Sequence, residues 1–212
     1  LSSITRHDLL NQLTALKSYI ELLQTTPRDQ DIKIYLERMQ SIAGVIEEQI
    51  TFTKDYETMG VSSPIWQDVF ASISRSTGSL PMRDVRTHTG VRNIEVFADP
   101  LFEKVFYNLI DNALRYGGSE MTTITIHAKD SGEEMILICE DDGNGISSED
   151  KKRLFEKGFG HHTGLGLFLV REILSITGIT ITETGKPGDG ARFEIRIPKG
   201  SFRYAGQDYE EA

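Results

Sequence analysis

Two stretches repeat an apolar residue at alternating steps of four and three, and that pattern decides what the first part of the chain can become. Leu9, Leu13, Leu16, Ile20 and Leu23 make one stripe, and Ile32, Leu36, Met39, Ala43, Ile46, Ile50 and Thr53 the other. This spacing puts one residue per turn on a single face, so each stretch is predicted to be an amphipathic helix. Pro27 ends the first, which makes the pair a helical hairpin. Two helices bury two such stripes less fully than four do, so the economical arrangement is a homodimer forming a four-helix bundle. The alternative is a hairpin packed against the remainder of its own chain.

At about 100° per residue, His7, Asn11, Thr14 and Ser18 share a narrow polar face opposite the first stripe. Arg6-His7-Asp8-Leu9-Leu10-Asn11 then offers an outward imidazole beside a carboxylate. That is a candidate phosphate acceptor, although by itself such a pair is more often a solvated surface pair.

Gly60-Val61-Ser62-Ser63-Pro64 breaks the helical period and places a domain boundary there. The expected division is 1–60 for the hairpin, 61–200 for a second domain and 201–212 for a polar, frayed tail. Within 61–200 the apolar period changes repeatedly. A helix is predicted from Trp66 to Arg75, strands at Val85–His88 and Ile94–Phe97, and a long helix capped by Asp99-Pro100. That helix would turn Phe102, Val105, Phe106, Leu109, Ile110 and Ala113 inward and hold Asn108, Asn112 and Arg115 on one flank. Strands over Thr122–Ala128 and Met135–Glu140, a short helix near Glu149–Phe155, a helix ending at Thr177-Gly178 and a closing hairpin over Ile179–Thr184 and Ala191–Ile197 follow. The fold class is therefore α+β: the hairpin of a dimeric four-helix bundle, then a two-layer α/β sandwich on a mixed sheet.

A composition 38% hydrophobic and 26% charged belongs to a globular chain able to bury a core. No apolar run has bilayer-spanning length, so membrane attachment is expected only through segments upstream, and the predicted location is cytoplasmic. The chain opens abruptly on a candidate functional residue, so such upstream sequence is expected. A net charge of −9 excludes a general nucleic-acid binder and requires any polyanionic ligand to be held by local donors or a metal. The single cysteine, Cys139, lies in the apolar run Met135–Cys139 and reads as a buried residue rather than a nucleophile.

Three further patterns carry chemistry. Asp141 ends a buried strand and is followed by Gly143 and Gly145, which let backbone approach a flat ligand; its carboxylate can accept from an exocyclic amine and so select adenine. Asn108 and Asn112, one turn apart, offer neutral oxygens to a divalent cation that also holds phosphate. Thr163-Gly164-Leu165-Gly166-Leu167 places a capping hydroxyl and two glycines at a helix amino end, where free amides attract anions. Each pattern alone has a plainer reading: a β-turn, a solvated helix edge, a tight helix contact. His161-His162 as a zinc pair lacks a third ligand at metal-site spacing.

Together and in this order, the pieces resemble the sensor histidine kinases of two-component signalling, over nearly all of Ile4 to Pro198. His7-Asp8-Leu9-Leu10-Asn11 is similar to that family's H box, Asn108 to Tyr116 to its N box and Asp141 to Ile146 to its G1 box. Leu154-Phe155-Glu156 is similar to the F box and Thr163 to Leu167 to the G2 box. The resemblance implies the ATP-binding sandwich shared with gyrase, mismatch-repair and chaperone ATPases. It also implies that His7 is the phosphoacceptor, that Asp8 orients it and takes its proton, and that Asn11 positions a water for dephosphorylating a partner. By the same resemblance Asn108 and Asn112 hold Mg2+, Arg115 and Tyr116 contact phosphates or nucleotide, and Asp141, Gly143 and Gly145 receive adenine. Thr163, Gly164, Leu165 and Gly166 then line the phosphate end, and the partner is the receiver domain of a response regulator.

Hydrolytic relatives carry a glutamate base where this chain has Asn108, and an amide cannot take a proton from water, so the site should keep ATP for transfer. Two departures stand out. His162 replaces the usual first glycine of the G2 box, and so few residues join Phe155 to Thr163 that the flap over the nucleotide must be short. Lys157, His161 and His162 are the candidates for its missing base. The expectation is an ATP-dependent histidine kinase core; the alternative is a non-catalytic dimeric adaptor that binds nucleotide, and a gyrase-like motor is disfavoured by Asn108 and the hairpin.

Overall fold

The computed structural model describes the backbone of residues 2–25, 29–160 and 163–205, and the side chains of residues 9–23, 32–160 and 163–205. Two long helices, α1 (Ser2–Thr25) and α2 (Asp29–Thr58), pack side by side as the predicted hairpin, with the rings of Tyr19 and Tyr35 5.9 Å apart between them. Their turn at Pro27 and the side chains of His7 and Asp8 lie outside the described residues. The stripes are only half used within one chain: Leu13, Ile20, Leu36 and Ile50 remain 43%, 40%, 52% and 56% exposed.

Beyond Gly60 the chain builds β1 (Ile65–Asp68), α3 (Val69–Ser79), β2 (Arg86–Thr89), β3 (Ile94–Ala98) and α4 (Phe102–Tyr116). Then come β4 (Thr123–Asp130), β5 (Glu134–Asp141), α5 (Gly166–Ser175), β6 (Thr180–Glu183), β7 (Arg192–Pro198) and β8 (Phe202–Tyr204). Five strands form one sheet in the order β2-β4-β5-β7-β6, in which β2 and β4 run parallel and every other pair antiparallel. The mixed sheet of the sequence reading is thereby present. Alternation along β7 sends Phe193, Ile195 and Ile197 inward and Arg192, Glu194 and Arg196 outward, as a half-buried strand requires. On the inner face these side chains, with Ile124, Ile126 and Leu137, meet the buried stripes of α4 and α5. Cys139 is buried there too, which pushes its thiol up to about 12 and leaves it a packing residue.

Several local expectations need correction. Ile65–Asp68 is a strand paired antiparallel with β3, and the helix starts only after it, because the Asp68 carboxylate accepts from the Ala71 amide at 2.6 Å and caps α3. Near Glu149–Phe155 the chain makes a single 3-10 turn over Asp150–Lys152. Asp99 does not occupy the cap of α4; that position belongs to Leu101. Asp99 is instead buried, one oxygen accepting from the Leu101 amide at 2.8 Å and the other from the Gly60 amide at 2.9 Å. Residues 202–204, expected to fray, pair with β3 and complete a second sheet, β1-β3-β8; residues 206–212 lie outside the described residues.

Ile195 is fully buried on β7 between Leu137 of β5 and Ile181 of β6, so Ile195→Ala should cost about 2–5 kcal/mol. A urea unfolding curve with an unshifted midpoint would contradict this placement of the core.

Candidate functional site

A cavity of about 820 Å3 opens between α4, the loop after β5, the amino end of α5 and one face of α2. Such a volume suits a ligand of nucleotide size. Helix α4 supplies one wall because its apolar side is fixed in the core, which turns Asn108, Asp111, Asn112 and Arg115 toward the opening. The Asn108 side-chain nitrogen donates to the Lys104 carbonyl at 2.7 Å, which orients its Oδ1 away from the helix. A Cβ on Gly166 would sit 2.7 Å from that oxygen, so only glycine lets α5 begin so close to it. A neutral oxygen held in this way fits a hard cation that keeps part of its water and phosphate shell.

Asp141 stands at the carboxyl end of β5 and lines the same cavity. Its Oδ1 accepts from the amides of Gly143 at 3.0 Å and Ala191 at 3.2 Å, which leaves Oδ2 as the oxygen for a ligand donor. Burial pushes this carboxyl above the usual carboxylate range, and the two amides pull the other way. Gly145 holds a positive φ of 69° with backbone oxygens of Gly190 and Lys186 each 2.9 Å from where a Cβ would be, so the loop can close only on glycine. Gly143 lies beneath the site rather than in its lining, packed against the Gly117 backbone.

The turn from β6 to β7 backs this loop, and a buried ion pair shapes it. Glu183, whose side chain is 1% exposed, accepts from the amides of Gly185 at 3.0 Å and Arg192 at 3.2 Å and meets the Lys151 ammonium at 2.5 Å. Lys151 also donates to the Gly185 carbonyl. Nothing in the local sequence announces this pair, which joins positions 32 residues apart, nor a contact between Arg115 and Glu48 of α2 at 2.6 Å. Asp111 holds Arg115 from the other side at 2.8 Å. Burial alone would lower the guanidinium pKa, but these two carboxylates outweigh it and raise it.

Asn108, Asn112, Arg115, Tyr116, Asp141, Gly145, Thr163, Gly164, Leu165 and Gly166 all line the cavity, so nearly every residue assigned to the nucleotide end converges. Thr163 does not cap α5; that position is Leu165, with no side-chain cap, and the Thr163 hydroxyl instead lies 3.5 Å from Glu48. The first amides of α5 are thus left facing the opening, as anion binding needs. Asn11, on α1, is exposed and not part of the lining. His161 and His162 lie outside the described residues, and Lys157 sits 5.9 Å from the Phe52 ring centre rather than in the lining. Among the described residues no cluster of His, Cys, Asp and Glu has metal-binding geometry.

Residues 98–201 match the family model described as Histidine kinase-, DNA gyrase B-, and HSP90-like ATPase. The alginate biosynthesis sensor protein KinB of Pseudomonas aeruginosa is 38% identical over 104 residues, 45% of this chain and 17% of that protein. The chain thus spans a small part of this curated relative. Among solved structures, the Acinetobacter baumannii histidine kinase AdeS is 24% identical with a TM-score of 0.65, covering 92% of this chain and 98% of that one. Histidine kinase ThkA in complex with response regulator protein TrrA is 20% identical with a TM-score of 0.66, covering 94% of this chain and 61% of that one. Both structures share the α+β fold.

Removing Glu183 leaves the amides of Gly185 and Arg192 without a bond and the Lys151 ammonium with only the Gly185 carbonyl. Glu183→Ala should therefore cost about 3–5 kcal/mol, read by chemical denaturation. A loss below about 1 kcal/mol, the range of a surface ion pair, would refute the clamp.

Proposed function

From the premise that residues 98–201 form the ATP-binding catalytic domain of a sensor histidine kinase, we propose that this chain transfers the γ-phosphoryl group of ATP to His7 and then to an aspartate of a response regulator receiver domain. The observation that carries the reading is a single cavity holding an adenine-type carboxylate, two amide oxygens and uncapped helix amides, with an amide at Asn108 where hydrolysis would need a base. Asp141 accepts the adenine amine, and the amides opening α5 cradle the phosphates. Asn108 and Asn112 would hold Mg2+, which when bound supplies charge neutralisation at the phosphates.

In the reaction the neutral imidazole nitrogen of His7 attacks the γ-phosphorus in line. A P–N bond forms, the bond to the bridging oxygen breaks, and ADP leaves with the electron pair. Asp8 orients the ring and takes the displaced ring proton. Asn11, on the same helix, positions water when a partner's phospho-aspartate is hydrolysed. Because His7 and the cavity belong to different parts of the chain, residues 58–64 act as the hinge between a hairpin unit, 1–60, and a catalytic unit, 61–200. The half-exposed stripes of α1 and α2 support a homodimer that closes them into a four-helix bundle. The complex of ThkA with TrrA supports the choice of partner. No helix among the described residues is long and apolar enough to cross a membrane, and a cytoplasmic site of action fits the ATP supply.

With γ-labelled ATP and magnesium, the protein should acquire label that is labile to acid and stable to base, and His7→Gln should lose it while still binding nucleotide. Persistent labelling of that variant would defeat the acceptor assignment. Asp141→Asn removes a charge-assisted bond worth about 1.5–3 kcal/mol, so nucleotide affinity should fall roughly ten- to hundredfold in calorimetry. Since the ionised carboxylate accepts the amine, wild-type affinity should weaken as pH falls through the raised pKa of Asp141, a decline that Asp141→Asn should not show.

A further inference from the structure

One wall of the cavity comes from the hairpin. Along a single face of α2, Glu48, Phe52 and Asp55 reach the catalytic unit at three points. Phe52 is 5% exposed, its ring 5.6 Å from that of Tyr56 and 6.3 Å from that of Phe168 on α5, with the Lys157 ammonium over it. Asp55 pairs with Lys104 at 3.1 Å. These contacts seat the helix, and the seat presents the Glu48 carboxylate to the cavity. One of its oxygens lies 2.6 Å from the Arg115 guanidinium and the other 3.5 Å from the Thr163 hydroxyl. Arg115 and Thr163 are donors that the phosphate end of a nucleotide would use. A carboxylate bridging both is a planar anion standing where a tetrahedral one belongs.

We propose that Glu48 is a specificity-determining residue of the nucleotide site: its carboxylate takes the place of a phosphate, so that with α2 docked the cavity accepts the adenine nucleoside and disfavours the polyphosphate. The inference rests on the ATP-site reading above and adds to it a rule about which part of the nucleotide the docked state admits. An incoming polyphosphate must displace Glu48 from Arg115 or sit against its charge, whereas adenosine meets neither cost. Linkage then makes the effect reciprocal: polyphosphate bound in the cavity loosens the seat of α2 by the same factor that the seat weakens its binding. The hydrophobic contact at Phe52 is untouched by the exchange, so only the Glu48 carboxylate need leave Arg115 and Thr163.

The test is calorimetric titration of the 212-residue chain with magnesium and β,γ-imido-ATP, and separately with adenosine. Glu48→Gln keeps the helix and the shape of the side chain while removing its charge. It should tighten the imido analogue about five- to tenfold, the lower range of coupling between sites, and leave adenosine unchanged. Glu47→Gln removes a neighbouring charge that also lines the cavity and serves as the control for the general field. Unchanged or weaker analogue binding in Glu48→Gln would overturn the proposal. So would an equal gain for adenosine, which would mean a general loosening, or an equal gain in Glu47→Gln. If the wild type and both variants bind neither ligand, the ATP-site reading itself falls, and this inference with it.

Discussion

Helix α4 has to satisfy two media along one cylinder, and the site depends on how firmly it does so. Phe102, Val105, Phe106, Leu109 and Ile110 are at most 2% exposed, and each such burial contributes about 1.5–3 kcal/mol. That burial leaves the helix no freedom to rotate, and the positions between the buried ones are therefore aimed rather than merely exposed. Asn108 owes its direction to this and to one hydrogen bond with the Lys104 carbonyl. The sheet beneath supplies the opposing constraint, because β5 delivers Asp141 to the same opening at its carboxyl end. Two elements with no freedom of their own thus define a gap whose chemistry is set before any ligand arrives.

The hairpin is held to this rigid unit by terms of unequal size. Burying Phe52 contributes about 1.5–3 kcal/mol. The pairs of Glu48 with Arg115 and Asp55 with Lys104 are partly solvated, and each is worth about 0–1 kcal/mol. Apolar contact therefore decides whether α2 docks, and the charges decide in what register. An interface of one aromatic cluster, two ion pairs and a few hydrogen bonds is small enough for the two parts to separate, as the proposed transfer from a nucleotide on one to a phosphoacceptor on the other requires.

The helical stripes and the polar flank of α4 were legible because each depends on a period carried within a dozen residues. Asp141 with its glycines was legible for the same reason. What the sequence concealed depends on distant partners. Trp66-Gln67-Asp68 has the composition of a helix start, and only pairing with β3 makes it a strand. Phe202–Tyr204 is too short to show an alternation, and it becomes a strand because β3 has an edge to offer. Thr163 looked like a cap because hydroxyls often are, but the acid facing it comes from 115 positions earlier. Glu48 and Glu183 carried no signal at all, since an acid on an amphipathic helix or a strand edge is ordinary until its partner is known.

The bond between the Gly60 amide and the Asp99 carboxylate gives the junction of the two units a mechanical character. Gly60 directly follows the last turn of α2, and Asp99 is buried where the chain enters α4. The carboxyl end of α2 is therefore tied directly to the head of the helix that carries Asn108 and Arg115, and the hinge proposed at residues 58–64 has that bond as its pivot.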